Sequence, residues 1–135
     1  MLQYLLDTNI VIYTMKNRPA RVREQFILHD GHMAISSVTL GELVYGAERS
    51  SRRRTNLKDI ESLLARIEVL NFDDEAAYHF GQVRAELYAR GLPIGPYDMM
   101  IAGHARSRGL VLVTNYTAEF NRVAGLRMEN WVDQV

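Results

Sequence analysis

The segment LLDTNIVIY, residues 5–13, decides the fold, because an apolar run stops at Asp7-Thr8-Asn9 and then resumes. The leucines before Asp7 are typical of a buried strand, and the residues after it have the spacing of a short helix. A strand that passes directly into a helix is the first part of a βαβ unit, which implies a parallel sheet. Ligands bind beyond the carboxyl ends of such strands, so the position of Asp7 points to a functional site.

The same alternation of strands and helices continues along the chain. Strands are predicted over residues 2–6, 33–35, 67–72, 110–113 and near 126–128. Helices are predicted over residues 9–16, 19–28, 38–48, from about 55, over 73–90, over 96–108 and from 117. We therefore expect an α/β fold with a mostly parallel central sheet and helices on both faces, in one domain that spans residues 1–135.

Composition excludes several classes of chemistry. The chain of 135 residues has no cysteine, which removes disulfides, thiolate nucleophiles and cysteine-based zinc sites. Basic and acidic residues balance at 16 each, so net charge gives no reason to expect nucleic-acid binding. No apolar run approaches the roughly 20 residues needed to cross a bilayer, and residues 1–4 lack a basic export signal. We expect a cytoplasmic protein with no membrane association.

Four acidic residues lie at or near predicted helix starts: Asp7, Glu42, Asp98 and Glu119. Each has an ordinary structural explanation. Asp7 is a suitable N-cap, and Asp98 and Glu119 complement a helix dipole. Thr39 with Glu42 matches a capping box, although Ser36 or Ser37 is the better-placed cap of that helix. Taken together, however, a parallel sheet gathers them at one edge, where converging carboxylates need protons or a cation. Hard oxygen ligands favour Mg²⁺ or Mn²⁺ over zinc.

Other catalytic arrangements lack their residues. The four histidines show no metal-ligand spacing, and the sequence contains neither a Gly-x-Ser-x-Gly elbow nor a P-loop. We expect His104 to lie on a helix where it packs or pairs, and we assign it no catalytic role.

Three segments carry a resemblance to a known family: LLDTNIVIY, ISSVTLGELVYGAERS and RGLPIGPYDMMIAGHARSRGLVLVTNYTAEFNRVAGL. In this order they resemble the PIN-domain family and, within it, the VapC-type toxins of bacterial toxin–antitoxin pairs. The resemblance covers essentially the whole chain and implies a three-layer PIN-like fold. It implies an acidic, catalytic metal pocket formed by Asp7, Glu42, Asp98 and Glu119. It also implies a set of polar neighbours: Thr8, Asn9, Ser36, Thr114 and Asn115.

The resemblance further implies an activity and partners. The expected activity is Mg²⁺-dependent endoribonuclease cleavage, with Mn²⁺ as a substitute, by a type II toxin that inhibits translation. The initiator tRNA anticodon arm is the target that this style of sequence implies. The expected partners are a second copy in a homodimer and a cognate VapB-type antitoxin.

Two positions depart from the family pattern, and two other functions stay open. Met99 stands where close relatives often carry glutamine, which implies either an altered substrate contact or an altered copy. Asn115 stands where many members have aspartate, and the missing charge argues against a tightly held second metal. These departures are the support for a non-catalytic PIN-like domain that binds RNA or a partner. An aspartate-nucleophile phosphatase is the other alternative, although its pattern needs a second aspartate where Asn9 stands.

Overall fold

The computed structural model describes residues 1–16 and 19–132. Within them, five short strands form one sheet: β1 (Tyr4–Leu6), β2 (Met33–Ser36), β3 (Glu68–Leu70), β4 (Val111–Val113) and β5 (Met128–Glu129). The described helices number seven: α1 (Thr8–Lys16), α2 (Ala20–Leu28), α3 (Ser37–Glu48), α4 (Arg53–Leu64), α5 (Asp74–Ala89), α6 (Pro96–Arg108) and α7 (Thr117–Phe120). None of these helices is long and apolar enough to cross a membrane.

The strands lie in the order β3-β2-β1-β4-β5, and all four strand pairings are parallel. The first strand of the chain is therefore the middle of the sheet, with Leu5 opposite both Ala34 and Leu112. This confirms the predicted α/β class. The carboxyl ends of β1, β2 and β4 lie side by side, which is the placement that the sequence predicts for a site.

Two buried apolar clusters occupy the two faces of the sheet, because successive residues of a strand point in opposite directions. Leu6 and Ile35 belong to one cluster, which also takes apolar residues from α1, α2, α3 and α4. Leu5 and Ala34 belong to the other, which takes apolar residues from α5, α6 and α7. The sheet is thus the middle of three layers.

The structure corrects the ends of several predicted elements. The last strand is Met128–Glu129 and not residues 126–128, because Leu112 pairs with Met128 and Val113 with Glu129. The predicted strands over residues 2–6 and 67–72 are shorter, at Tyr4–Leu6 and Glu68–Leu70. Long-range pairing sets these ends, whereas apolar runs continue into the flanking residues.

Candidate active site

Asp7 is both a helix cap and a buried charge. It follows β1 and is only 3% exposed. Its Oδ1 accepts a hydrogen bond from the backbone N–H of Ile10 at 2.9 Å, and its Oδ2 accepts one from the hydroxyl of Thr114 at 2.6 Å. The N-cap interpretation is therefore right, but it leaves the Oδ2 atom bonded only to the hydroxyl of Thr114, the residue that follows β4. Each carboxylate oxygen has a further lone pair with which to accept.

Glu42 lies inside α3 on the half-buried side that faces α1. Its Oε1 accepts a hydrogen bond from the Thr8 hydroxyl at 2.7 Å. Ser36 and not Thr39 caps this helix, since the Ser36 Oγ accepts from the backbone N–H of Val38 at 3.1 Å. The capping-box alternative for Glu42 is wrong for that reason, and Glu42 is available to the site.

Asp98 and Glu119 reach the same region from two further helices. Asp98 lies in the first turn of α6, whose cap residue Gly95 makes no side-chain capping bond. A Cβ placed on Gly95 would be 3.5 Å from the Asp98 Oδ2, so the carboxylate lies close over this glycine. Glu119 lies in the first turn of the short helix α7 and is exposed.

Electrostatics links the four acids into one group, which we call the acidic cluster. Burial raises the pKa of Asp7 to about 6, and the negative charges of Asp98 and Glu42 contribute to that rise. Burial also raises the pKa of Asp98 to about 6, with further contributions from the charges of Glu42 and Glu119. Raised pKa values in two neighbouring aspartates are typical of an active site in which several carboxylates lie close together.

The acidic cluster is not arranged as a finished metal site. Within residues 1–16 and 19–132, no three histidine or acidic side chains are placed so that together they hold a metal ion. Hydroxyl groups engage two of the acids instead, through Thr8 and Thr114. Beside Thr114, the side-chain oxygen of Asn115 is buried without a hydrogen-bond partner among the described residues, while its amide donates to the Tyr13 hydroxyl at 3.4 Å. This unpaired oxygen is one more acceptor next to Thr114.

Ser36 belongs to a buried structural pair and not to the acidic cluster. Its Oγ lies 2.9 Å from the Nδ1 of His104, a side chain with no exposed surface. Burial lowers the pKa of His104, so this imidazole is neutral near pH 7. The expectation that His104 packs or pairs on a helix is confirmed, and Ser36 serves as its partner and as the cap of α3.

Met99 does not contact the space in front of the site. Its side chain is 1% exposed and packs in the same apolar cluster as Leu5. Met99 therefore does not line the cleft, and an altered substrate contact at this position stays a prediction. The next residue, Met100, lines an open cleft beside the acidic cluster.

A cleft of about 840 Å³ opens beside the acidic cluster, between α1, α3 and α6. Thr8, Asn9 and Glu42 border it, so it is continuous with the site. Tyr45 and Tyr97 also line the cleft, and these two residues are 66% and 56% exposed. Sequence reasoning did not single out these tyrosines, although their spacing was a usable signal: Tyr45 follows Glu42 by three residues, and Tyr97 directly precedes Asp98.

Comparison with known proteins identifies the family. The PIN-domain family model matches residues 4–126. The chain is 61% identical over 131 residues to the "tRNA(fMet)-specific endonuclease VapC" of Shigella flexneri, covering 97% of this chain and 99% of that protein. It is 49% identical over 132 residues to "Ribonuclease VapC2" of Haemophilus influenzae, covering 98% of this chain and 100% of that one.

The fold has a matching solved structure, the DNA-bound VapBC of Salmonella typhimurium. A chain of that structure is 55% identical to this one and superposes with a TM-score of 0.93, with 97% of this chain and 99% of that chain covered.

Proposed function

Because the chain belongs to the PIN-domain family and to its VapC-type members, we propose that it is an endoribonuclease toxin that hydrolyses RNA phosphodiester bonds and inhibits translation. The observation that carries the proposal is the acidic cluster, in which four carboxylates from different elements influence one another's ionisation. We propose that residues 1–135 act as one PIN-like domain. The phosphatase alternative has no support, because Asn9 stands where its second aspartate is needed.

The chemistry of the donors in the acidic cluster suits a divalent cation, although the described side chains are not placed to hold one as they stand. These donors are all oxygens, and PIN-domain nucleases are in general metal-dependent. Mg²⁺ prefers carboxylate oxygens and keeps several waters, so it does not need every ligand from the protein. The unpaired oxygen of Asn115 supports the same interpretation, because a buried acceptor without a donor is costly unless an ion or water engages it. We infer that Mg²⁺ is the natural ion and that Mn²⁺ substitutes for it.

Each acidic residue has a role that follows from its position. We assign Asp7 and Asp98 as direct ligands, since burial and, to a smaller extent, the negative charges of the neighbouring acids raise the pKa of both carboxyl groups to about 6. Glu42 acts as a ligand or orients the attacking water, and Glu119, which is exposed, acts partly through water. Thr8 and Thr114 hold Glu42 and Asp7 in place.

The chemistry of phosphodiester hydrolysis fits this set of residues. A divalent ion held by the carboxylates of the acidic cluster would supply a more acidic water and a Lewis acid for the phosphoryl oxygen. The carboxylates position the water for attack on phosphorus, and the 3′ oxygen leaves. The products are a 5′-phosphate and a 3′-hydroxyl.

The relatives suggest the substrate and the partners. The Shigella flexneri relative is named for initiator tRNA and the Salmonella typhimurium structure contains an antitoxin, VapB. We propose that this chain also cuts initiator tRNA, in the anticodon arm, and that a VapB-type antitoxin silences it in the cytoplasm. A basic side chain of the antitoxin is suited to neutralise the acidic cluster. We further propose that the chain forms a homodimer.

Induced expression of the chain in bacteria tests the proposed function. We expect growth arrest, relief of the arrest by Asp7→Asn, and relief by co-expression of the cognate antitoxin. The variant must be recovered folded, which circular dichroism and thermal melting establish. Arrest that persists with folded Asp7→Asn would instead favour the non-catalytic alternative, a PIN-like domain that acts by binding.

A further inference from the structure

We propose that the cleft beside the acidic cluster binds an unpaired nucleobase of the RNA, stacked on the rings of Tyr45 and Tyr97, next to the phosphate that is cut. The inference rests on the proposed nuclease function and names the two side chains that select the class of RNA bound at the site. That class is RNA with a single-stranded or looped-out nucleotide at the cleavage position.

The cleft and the acidic cluster are held by the same two helices. On α3, Tyr45 follows Glu42 by three residues, which places both side chains on the same side of the helix about one turn apart. On α6, Tyr97 directly precedes Asp98. A base in contact with either tyrosine therefore has its own backbone phosphate within reach of the acids.

The lining of the cleft suits a flat, uncharged ring. Both tyrosines are more than half exposed, and Ile12, Val38 and Met100 add apolar surface around them. Every nucleobase has a π-face, so stacking on aromatic side chains binds single-stranded nucleic acid with little dependence on sequence. A buried duplex base has no free face, and it must leave its stack before it enters such a pocket.

Polar groups are placed where a base edge and a phosphate require them. Thr8 and Asn9 border the cleft and offer hydrogen-bonding groups to a base edge. Glu42 at the same border repels a phosphate inside the cleft, so the uncharged base enters while its phosphate stays outside. The guanidinium of Arg49 lies 5.4 Å from the centre of the Tyr45 ring and supplies positive charge for a flanking phosphate.

Gly41 keeps one wall of the cleft open. This residue lies inside α3, where alanine would favour the helix more strongly. A Cβ added to Gly41 meets no atom within 4 Å, so no packing contact requires glycine here. Glycine here leaves the cleft wall without a side chain, so a ligand can approach the backbone of the helix at this point.

Binding measured without catalysis tests the proposal. The probe is a fluorescent single-stranded RNA of about eight nucleotides, compared by anisotropy in chelator with an abasic strand of the same length and with a duplex of the same sequence. We expect the parent protein to bind the single strand at least tenfold more tightly than either comparison RNA. Tyr45→Ala and Tyr97→Ala should each weaken single-strand binding about 5-fold to 100-fold, and the phenylalanine variants should bind like the parent.

Tyr88→Ala is the matched control. Tyr88 is a tyrosine on α5, 55% exposed, with the guanidinium of Arg84 also 5.4 Å from its ring centre, and it does not line the cleft. We expect this variant to bind RNA like the parent. Gly41→Leu fills the cleft from a position with open space and should weaken binding as the tyrosine variants do, with a melting temperature equal to or above that of the parent.

Two outcomes overturn the base-binding proposal while the nuclease function stands. One is Mg²⁺-dependent RNA cleavage by the parent together with unchanged RNA affinity in Tyr45→Ala and Tyr97→Ala. The other is loss of antitoxin binding in these variants with RNA affinity retained, which would make the cleft a protein-docking surface. If the parent binds RNA through the tyrosines but does not cleave it with Mg²⁺, the proposed nuclease function fails instead.

Discussion

Asp7 has two opposite effects on the stability of the folded protein, one as a helix cap and one as a buried charge of the site. As an N-cap it stabilises α1 through the N–H of Ile10. As a buried charge beside Asp98 and Glu42 it destabilises the folded protein once it ionises. The second effect is the larger, since a rise in pKa from 3.8 to about 6 corresponds to a free energy on the order of 3 kcal/mol.

Removal of the Asp7 charge should stabilise the protein at alkaline pH. A carboxyl group whose pKa is higher in the folded than in the unfolded protein costs no stability below its unfolded pKa of 3.8, where it is protonated in both states. The loss of stability is complete above the folded pKa of about 6, where the group is ionised in both states. Asp7→Asn keeps the capping oxygen, so in chelator at pH 8 the free energy of unfolding should rise by up to about 3 kcal/mol. Below pH 4 the gain should vanish.

Urea titrations at pH 8 and below pH 4 check this prediction. Asp30→Asn, which changes an exposed aspartate in the turn after α2, is the control and should be nearly neutral at both pH values. A loss of stability in Asp7→Asn at pH 8 would mean that capping and not charge dominates at this residue.

For Asp98, the ligand interpretation and the helix-dipole interpretation predict changes in stability of different sign when the residue is replaced by asparagine. If Asp98 only favours a helix start, Asp98→Asn costs about 0.3 to 1 kcal/mol with or without metal. Because its pKa is raised by burial and by the charges of Glu42 and Glu119, we expect unchanged or higher stability in chelator at pH 8. Saturating Mg²⁺ should raise the melting temperature of the parent at pH 8 but not that of the variant.

The same melts at pH 5 provide a control for protonation. With Asp7 and Asp98 largely protonated below their pKa values of about 6, Mg²⁺ should have little effect on the parent there. A variant that is less stable in chelator and yet gains the full Mg²⁺ increment would remove Asp98 from the proposed ligands.

At the scale of elements, the contact between α5 and α6 fixes where Asp98 stands. Gly103 on α6 lies so close to α5 that an added Cβ would be 2.6 Å from the backbone nitrogen of Phe80 and 2.9 Å from its Cα. Because both atoms belong to the backbone, the helices must separate to admit a methyl group. The helix that carries Asp98 would move with them.

Gly103→Ala should therefore destabilise the protein, although alanine has the better helix propensity. Overpacking of this kind costs typically about 1 to 3 kcal/mol. Gly81→Ala on α5 is the matched control, because a Cβ there meets nothing within 4 Å, and it should stabilise by about 0.5 to 1 kcal/mol. Equilibrium unfolding in urea measures both, and equal effects of the two substitutions would contradict the close approach of the helices.

The same helix shows what the sequence alone does not determine. Most of the central residues of α6 are buried, so its sequence has no regular alternation of apolar and polar residues that would show which side faces inward. The sequence alone therefore does not distinguish Met99, which is buried, from Met100, which lines the cleft. Strand ends are equally hard to predict, because Met128 is defined by its pairing with Leu112 and not by its neighbours. Caps and terminators such as Ser36 and Gly109 are local signals, and they were predictable.

At the scale of the whole molecule, the sheet order explains how distant residues meet. With β1 in the middle and β2 and β4 beside it, Asp7 lies between the segments that contribute Glu42 and Thr114. The alternation of strands and helices was sufficient to predict that these segments share one edge. The hydroxyl contacts from Thr8 and Thr114 were not predictable, because they depend on side-chain rotamers across three elements.

The most direct test of the account is cleavage of initiator tRNA by the purified full chain, with analysis of the product ends. We predict cleavage with Mg²⁺ or Mn²⁺, none in chelator and none with folded Asp7→Asn, with products that carry a 5′-phosphate and a 3′-hydroxyl. An elongator tRNA serves as the substrate control and should be cut more slowly. Robust cleavage in chelator, or products that end in a 2′,3′-cyclic phosphate, would contradict a metal-dependent mechanism at the acidic cluster.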